Sequence, residues 1–168
     1  MLTFSIKGTV ISPAGTAAIA TTLMVILRTG DHIVASSSLY GGTYNLLANT
    51  LPRFGITTTF VDPDNPNEFT KAVKSNTRLF FAESLGNPKL DVIDLKSISD
   101  ASKKAKVPFI VDNTVASPAL LNPIEHGANI VIHSLTKYLT GNGTSIGGVI
   151  IDAGTFDWAN GNFPELIF

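Results

Sequence analysis

The chain has 168 residues, 44% hydrophobic and 15% charged, with 12 Lys plus Arg against 13 Asp plus Glu and a formal net charge of -1; its mean hydropathy is +0.26. That length suits one domain with a sizeable core. The low charge and high apolar content exclude intrinsic disorder, and near-neutrality leaves no electrostatic footprint for nucleic acid. The lack of cysteine excludes thiol catalysis, disulfides and thiolate metal sites and fits a reducing compartment. No run approaches the ~20 apolar residues of a membrane helix, and the N-terminus does not read as a secretory signal; a cytoplasmic protein is expected.

In chain order, Ser12-Pro13-Ala14-Gly15-Thr16-Ala17-Ala18 is a small-residue loop leading into a predicted helix over 17–27. Its backbone N–H groups and the helix dipole suit a phosphate; a plain N-terminal cap fits as well, and the segment alone does not choose. Gly30-Asp31 punctuates, and a strand is predicted over 32–35. In Leu39-Tyr40-Gly41-Gly42-Thr43-Tyr44 an aromatic beside two glycines either brings a flat ring to a ligand face or forms a turn with a packed tyrosine. A helix follows over 44–53, with Pro52 marking its end. Gly55 then precedes a strand over 56–61.

Pro63, Asn65 and Pro66 form a turn. A short helix over 68–75 places Phe69, Ala72 and Val73 at i, i+3 and i+4, and a strand is predicted over 78–82. In Glu83-Ser84-Leu85-Gly86-Asn87-Pro88, Asn87 is held extended before proline; its amide reaches a ligand oxygen or serves a turn. An amphipathic helix over 95–106 aligns Leu95, Ile98, Ala101, Ser102 and Ala105, with Lys103, Lys104 and Lys106 at its solvated end. Further strands are expected over 108–112, 129–133 and 146–151. His126 is expected near a helix end and His133 as a packed or orienting residue; no metal is expected.

Strands alternating with helices imply crossovers and an α/β fold class, a three-layer αβα sandwich with a mostly parallel sheet. Ligands in such sheets sit at the carboxyl ends of the strands. Glu83, Asp112 and the run from His133 to Lys137 all follow strand segments.

Two of those segments carry chemistry. Ile130-Val131-Ile132-His133-Ser134-Leu135-Thr136-Lys137 delivers a lysine beside two hydroxyls, which an extended chain would point the same way. Alone, Lys137 reads as an exposed lysine after a strand; beside those hydroxyls it suits a Schiff base with pyridoxal phosphate (PLP). Val111-Asp112-Asn113-Thr114 delivers a carboxylate that is costly to bury unpaired. A protonated pyridine nitrogen is one suitable partner, and capping the following turn is the other use for such an aspartate.

Taken in order, Gly15-Thr16-Ala17-Ala18, Gly30-Asp31-His32-Ile33-Val34, Tyr40-Gly41-Gly42-Thr43-Tyr44, Glu83 through Pro88, Val111-Asp112-Asn113-Thr114 and His133-Ser134-Leu135-Thr136-Lys137 resemble the Cys/Met-metabolism family of PLP enzymes, within the aspartate-aminotransferase-like fold. The resemblance runs from about Gly15 to the end. It implies that Lys137 is the Schiff-base lysine, that Asp112 partners the pyridine nitrogen, and that Tyr40 stacks on the ring and assists proton transfer. It further implies a phosphate cradle from the Gly15 and Thr16 amides with Ser134 and Thr136, a contact from Asn87 to the phenolic oxygen, a cofactor contact at Thr114, and a supporting role for Glu83.

Ser36-Ser37-Ser38-Leu39-Tyr40-Gly41-Gly42, Leu85-Gly86-Asn87-Pro88, Gly143-Thr144-Ser145-Ile146-Gly147-Gly148 and Gly154-Thr155-Phe156-Asp157-Trp158 look most like the sulfhydrylase branch. The implied reaction is γ-replacement on O-acetylhomoserine with sulfide or a thiol, giving homocysteine or methionine. Cystathionine γ-synthase, cystathionine γ-lyase or methionine γ-lyase activity is the alternative within the family, and an inactive fragment with the PLP fold is another. A homo-oligomer is implied, a tetramer in intact relatives. Asn142, Val115 and Ser84 stand where relatives often have histidine, phenylalanine and threonine. Residues 1–14 are expected to be an atypical N-terminal segment and 15–168 a large-domain core, with the C-terminal small domain absent and the isolated chain inactive.

Overall fold

The computed structural model describes residues 7–167. Its centre is a seven-stranded sheet in the order β1-β7-β6-β5-β4-β2-β3, built from β1 (Gly8–Ser12), β2 (His32–Ser36), β3 (Thr57–Val61), β4 (Thr77–Glu83), β5 (Phe109–Asp112), β6 (Ile130–Ser134) and β7 (Gly148–Asp152). The pairings from β3 through β2, β4 and β5 to β6 are parallel, whereas β6–β7 and β7–β1 are antiparallel.

The central strands are apolar on both faces, so alternate residues enter different cores. Ile33, Leu79, Phe81, Ile110 and Ile132 pack in one cluster with Ala18, Ile19, Leu23 and Ile26 of α1 (Gly15–Ile26). Val34, Phe80, Ala82, Phe109, Val111 and Val131 pack in the other with Phe69 of α3 (Asn67–Lys71) and Leu95, Ile98 and Ala101 of α4 (Leu95–Ala105). Each such fully buried large side chain contributes about 1.5–3 kcal/mol of transfer free energy. This is the expected αβα sandwich. The α4 stripe is the expected one, with Asp94 as the N-cap, its Oδ1 accepting the Ser97 N–H at 3.0 Å. Lys106 closes the helix in the left-handed conformation.

Several elements differ from expectation: the helix expected over 68–75 is only α3 (Asn67–Lys71), and the strand expected over 146–151 begins at Gly148. The helix expected over 44–53 starts earlier, as α2 (Gly41–Asn45), and then loosens into a π turn (Leu46–Thr50) and a 3-10 turn (Leu51–Phe54). Pro52 sits in the first positions of that last turn, where its missing N–H costs no hydrogen bond, and Gly55 at φ 75 ends it instead. A short α5 (Ser117–Leu120) and a 3-10 turn ending at His126 fill the connection between β5 and β6. The strand β1 was not anticipated at all. Four of its five residues are exposed, so it lacks the buried-face pattern that marks a strand in sequence. Because β1 is antiparallel to β7, and β7 to β6, β1 runs in the same direction as β6. Its end therefore reaches the same edge of the sheet.

Among the described residues, no helix is long and apolar enough to cross a membrane.

One buried polar group crosses three strands. His32 is 0% exposed; Nδ1 meets Thr77 Oγ1 and Nε2 meets Thr59 Oγ1, each at 2.8 Å, and Lys74 Nζ donates to the same Thr59 hydroxyl at 3.2 Å. Burial first, and the Lys74 charge second, lower the imidazole pKa from 6.5 to about 4. The folded state thus favours neutral His32, so its contribution is complete above pH 6.5 and is lost as pH falls towards 4. Across that window the stability difference between wild type and His32→Gln is expected to move by on the order of 3 kcal/mol against the wild type on acidification, read by equilibrium unfolding of both. A His32→Gln variant should lose this component of the slope.

Candidate active site

Four parallel strands end at one edge, and each ends in a polar residue. From β2 the chain leaves through Ser36 to Tyr40, from β4 through Glu83 to Asn87, from β5 through Asp112 and Thr114, and from β6 through Ser134 to Lys137. β1 adds the start of α1. These segments enclose a cavity of about 410 Å³. Gly15, Thr16, Tyr40, Asn87, Asp112, Thr114, Ser134, Thr136 and Lys137, the nine residues singled out in the sequence, all line it, together with Glu83, Thr43, Val115 and Tyr138.

The approach of α1 to β6 depends on two missing side chains. A Cβ on Gly15 would lie 2.5 Å from Ser134 Cβ, and one on Gly148 would run into the Ala14 carbonyl. Ser12 and Ser134 both pair with Gly148 in the sheet, so this register carries the first turn of α1 onto the end of β6. The N-cap is Ala14, and no side chain caps the helix. The first-turn N–H groups therefore face the cavity without a side-chain acceptor, an arrangement that receives an anion.

Thr114 ties β5 to β6. Its hydroxyl donates to Asp112 Oδ1 and accepts the Ser134 N–H at 2.8 Å, while its own N–H donates to Asp112 Oδ1 at 2.9 Å. Both readings of Asp112 are therefore met by one residue, since Oδ1 caps the turn while the side chain lines the cavity. Burial raises the Asp112 pKa, opposed by the Thr114 hydroxyl and N–H. Glu83 pairs with Asp112 in the β4–β5 register and is 4% exposed. Burial pushes its pKa up to about 8; the Tyr40 N–H opposes this, and the Asp112 and Asp91 charges add to it.

One expectation needs correction. Ser134 and Thr136 do not share an extended chain: the strand ends at Ser134 and Leu135–Leu139 forms a π turn. Thr136 Oγ1 instead accepts the Gly147 N–H at 3.1 Å and donates to the Gly147 carbonyl at 3.3 Å, holding the glycine-rich loop. Lys137 is exposed, and among the described residues it is the only cation lining the cavity.

Sequence reasoning assigned no role to Asn113, Ser84 or Thr43. Asn113 is fully buried, accepts from Ser84 Oγ at 2.7 Å and donates to the Leu121 carbonyl at 2.8 Å. The signal available was a polar residue directly after an apolar strand. Thr43 lines the cavity with a buried Oγ1 that has no partner among the described residues. His133 is packed as expected, and its burial lowers its pKa.

Residues 5–165 match the family model of Cys/Met metabolism PLP-dependent enzymes. The chain belongs to this family. It is 57% identical over 143 residues to an O-acetyl-L-homoserine sulfhydrylase of Leptospira meyeri, covering 85% of this chain and 32% of the relative. It is 48% identical over 155 residues to a homocysteine synthase of Schizosaccharomyces pombe, covering 90% of this chain and 36% of that protein. Among solved structures it superposes with a TM-score of 0.86 and 38% identity on a Campylobacter jejuni protein assigned as an O-acetylhomoserine (thiol)-lyase and solved with N'-pyridoxyl-lysine-5'-monophosphate, over 88% of this chain and 37% of that one. The chain thus spans about a third of the length of the relatives it matches.

The PLP-dependent family identity fits the cavity on the chain's own features: an uncapped helix start for an anion, the orphaned Thr43 hydroxyl, and the desolvated carboxyl of Asp112 suited to a cationic ring nitrogen.

A Gly15→Ala substitution is expected to destabilise the chain by about 1–3 kcal/mol, because helix and strand must separate; thermal unfolding measures it. Glu83 adds a pH test. With its folded pKa raised from 4.5 to about 8, its contribution is present below pH 4.5 and lost as pH rises through 8. The stability difference between wild type and Glu83→Gln should therefore shift by a few kcal/mol, in favour of the glutamine variant, between those limits.

Proposed function

We propose that this chain is the cofactor-holding part of a PLP-dependent sulfhydrylase, which replaces the γ-acetoxy group of O-acetylhomoserine with sulfide or a thiol. The observation that carries this reading is the convergence of Lys137, Asp112 and the uncapped start of α1 on one cavity, in a chain whose relatives bear sulfhydrylase and homocysteine synthase names.

When bound, PLP supplies an aldehyde for the lysine and an electron-withdrawing ring. The N–H groups of Gly15 and Thr16 and the Ser134 hydroxyl bind the phosphate, with Thr136 acting through the glycine-rich loop it holds. Asp112 holds the proton at the pyridine nitrogen, and Thr114 keeps that carboxylate aimed by occupying Oδ1. Asn87 meets the phenolic oxygen, and the Tyr40 ring covers the cofactor face. With the cofactor bound, Lys137 Nζ would take the proton at Cα and then one at Cβ of the substrate, and Lys137 with Tyr40 would return a proton to each carbon once sulfide or thiol had replaced acetate at Cγ. The protein is inferred to be cytoplasmic and homo-oligomeric.

A second reading, a PLP-binding fold without turnover, draws on the exposure of Lys137. That exposure leaves the amine open to water, and a site needs its supporting shell.

Borohydride reduction after addition of PLP, followed by peptide mapping, should yield a pyridoxyl adduct on Lys137. An adduct only on other lysines would reject the assignment. Assays with O-acetylhomoserine plus sulfide, against cystathionine and methionine, are expected to favour the first substrate pair; faster lyase turnover would move the chain to the other branch, and adduct formation without turnover would support the second reading.

A further inference from the structure

The segment that carries Tyr40 is held from outside itself. Residues 37–40 join β2 to α2, and two carboxylates from elsewhere grip them. Asp91 Oδ1 accepts the Ser38 hydroxyl at 2.6 Å, and Glu83 Oε1 accepts the Tyr40 backbone N–H at 2.7 Å, across 53 and 43 residues of sequence respectively. Gly86 lies at the crossing, where a Cβ would overlap both Asp91 Oδ1 and Ser38 Oγ. Gly86 also accepts Leu90 and donates to the Asp91 carbonyl, which fixes the acid's backbone.

Nothing comparable holds the tyrosine ring. It is 53% exposed, and its hydroxyl makes no hydrogen bond among the described residues. It lies against Gly42, where a Cβ would come 2.6 Å from Tyr40 Cε1. The position of the ring over the cavity is therefore set through the backbone. A hydrogen bond to that backbone, inside a desolvated edge, is held more firmly than one open to water.

We propose that Glu83 and Asp91 form a two-carboxylate clamp that positions Tyr40 over the cavity, Glu83 as a positioning residue gripping the Tyr40 amide directly and Asp91 through Ser38. The clamp rests on the proposed role of Tyr40 at the cofactor face. It also gives the supporting role of Glu83 a physical content.

The test is amide hydrogen exchange by NMR on the whole chain without cofactor, in wild type, Glu83→Leu, Glu83→Gln and Ser38→Ala, with PLP affinity and adduct yield on Lys137 measured in parallel. Leaving the Tyr40 N–H without its acceptor should speed exchange there about tenfold to hundredfold in Glu83→Leu. Glu83→Gln keeps an acceptor oxygen and should restore exchange to within about threefold and recover adduct yield. Ser38→Ala should also speed exchange at Tyr40. Unchanged exchange in Glu83→Leu, or a glutamine variant as fast as the leucine one, would overturn the clamp. Should Glu83→Leu not fold, Ser38→Ala decides, since unchanged Tyr40 exchange there rejects it. If wild type forms no adduct on Lys137 while the exchange pattern holds, the cofactor reading fails and the clamp stands.

Discussion

The site depends on one close approach, that of the first turn of α1 to the end of β6. It needs two absent side chains, at Gly15 against Ser134 and at Gly148 against the Ala14 carbonyl. Glycine at these points permits a backbone distance that any other residue would open. With that distance closed, the N–H groups of α1 and the hydroxyl of Ser134 face one cavity. The antiparallel pair β1–β7 makes the approach possible, because it returns the chain to the carboxyl edge of the parallel strands just before α1 begins.

The same edge concentrates negative charge away from water. Glu83 and Asp112 are neighbours in register, and Asp91 adds its field to Glu83. Desolvation disfavours the charged form of each buried acid. Hydrogen bonds offset this only in part, from Tyr40 to Glu83 and from Thr114 to Asp112. Among the described residues the only lining cation, Lys137, stays in solvent. An edge so unbalanced favours a ligand that brings positive charge to the acids and an anion to the helix start. That is the charge pattern of a phosphorylated pyridinium, and it agrees with the family the chain belongs to.

Much of this was legible before any coordinates. The β-branched and aromatic runs around Val34, Phe80 and Val111 identified strands buried on both faces, and the α4 stripe was readable from Leu95, Ile98 and Ala101. Asp112 and Lys137 could be picked out from the apolar runs before them, while the full set of nine lining residues came with the family resemblance. Less legible were features that rest on solvent-facing or partner-dependent geometry. β1 is exposed on most of its length and shows no alternation. Thr136 turned away to Gly147 because a π turn begins one residue after the strand, a choice local sequence does not encode. Asn113 reads as a turn residue until Ser84 and Leu121 are found around it.

The sequence by itself determined the fold class, the order of the six strands β2 to β7, and the chemical identity of the groups at the strand ends, since these follow from local periodicity and residue type. Only the tertiary structure decided that β1 joins the sheet, that Glu83 reaches the Tyr40 amide, that Asp112 spends one oxygen on its own turn, and that Lys137 lies in solvent. Those outcomes depend on register and on contacts between residues tens of positions apart, and no local preference of the chain fixes such distances.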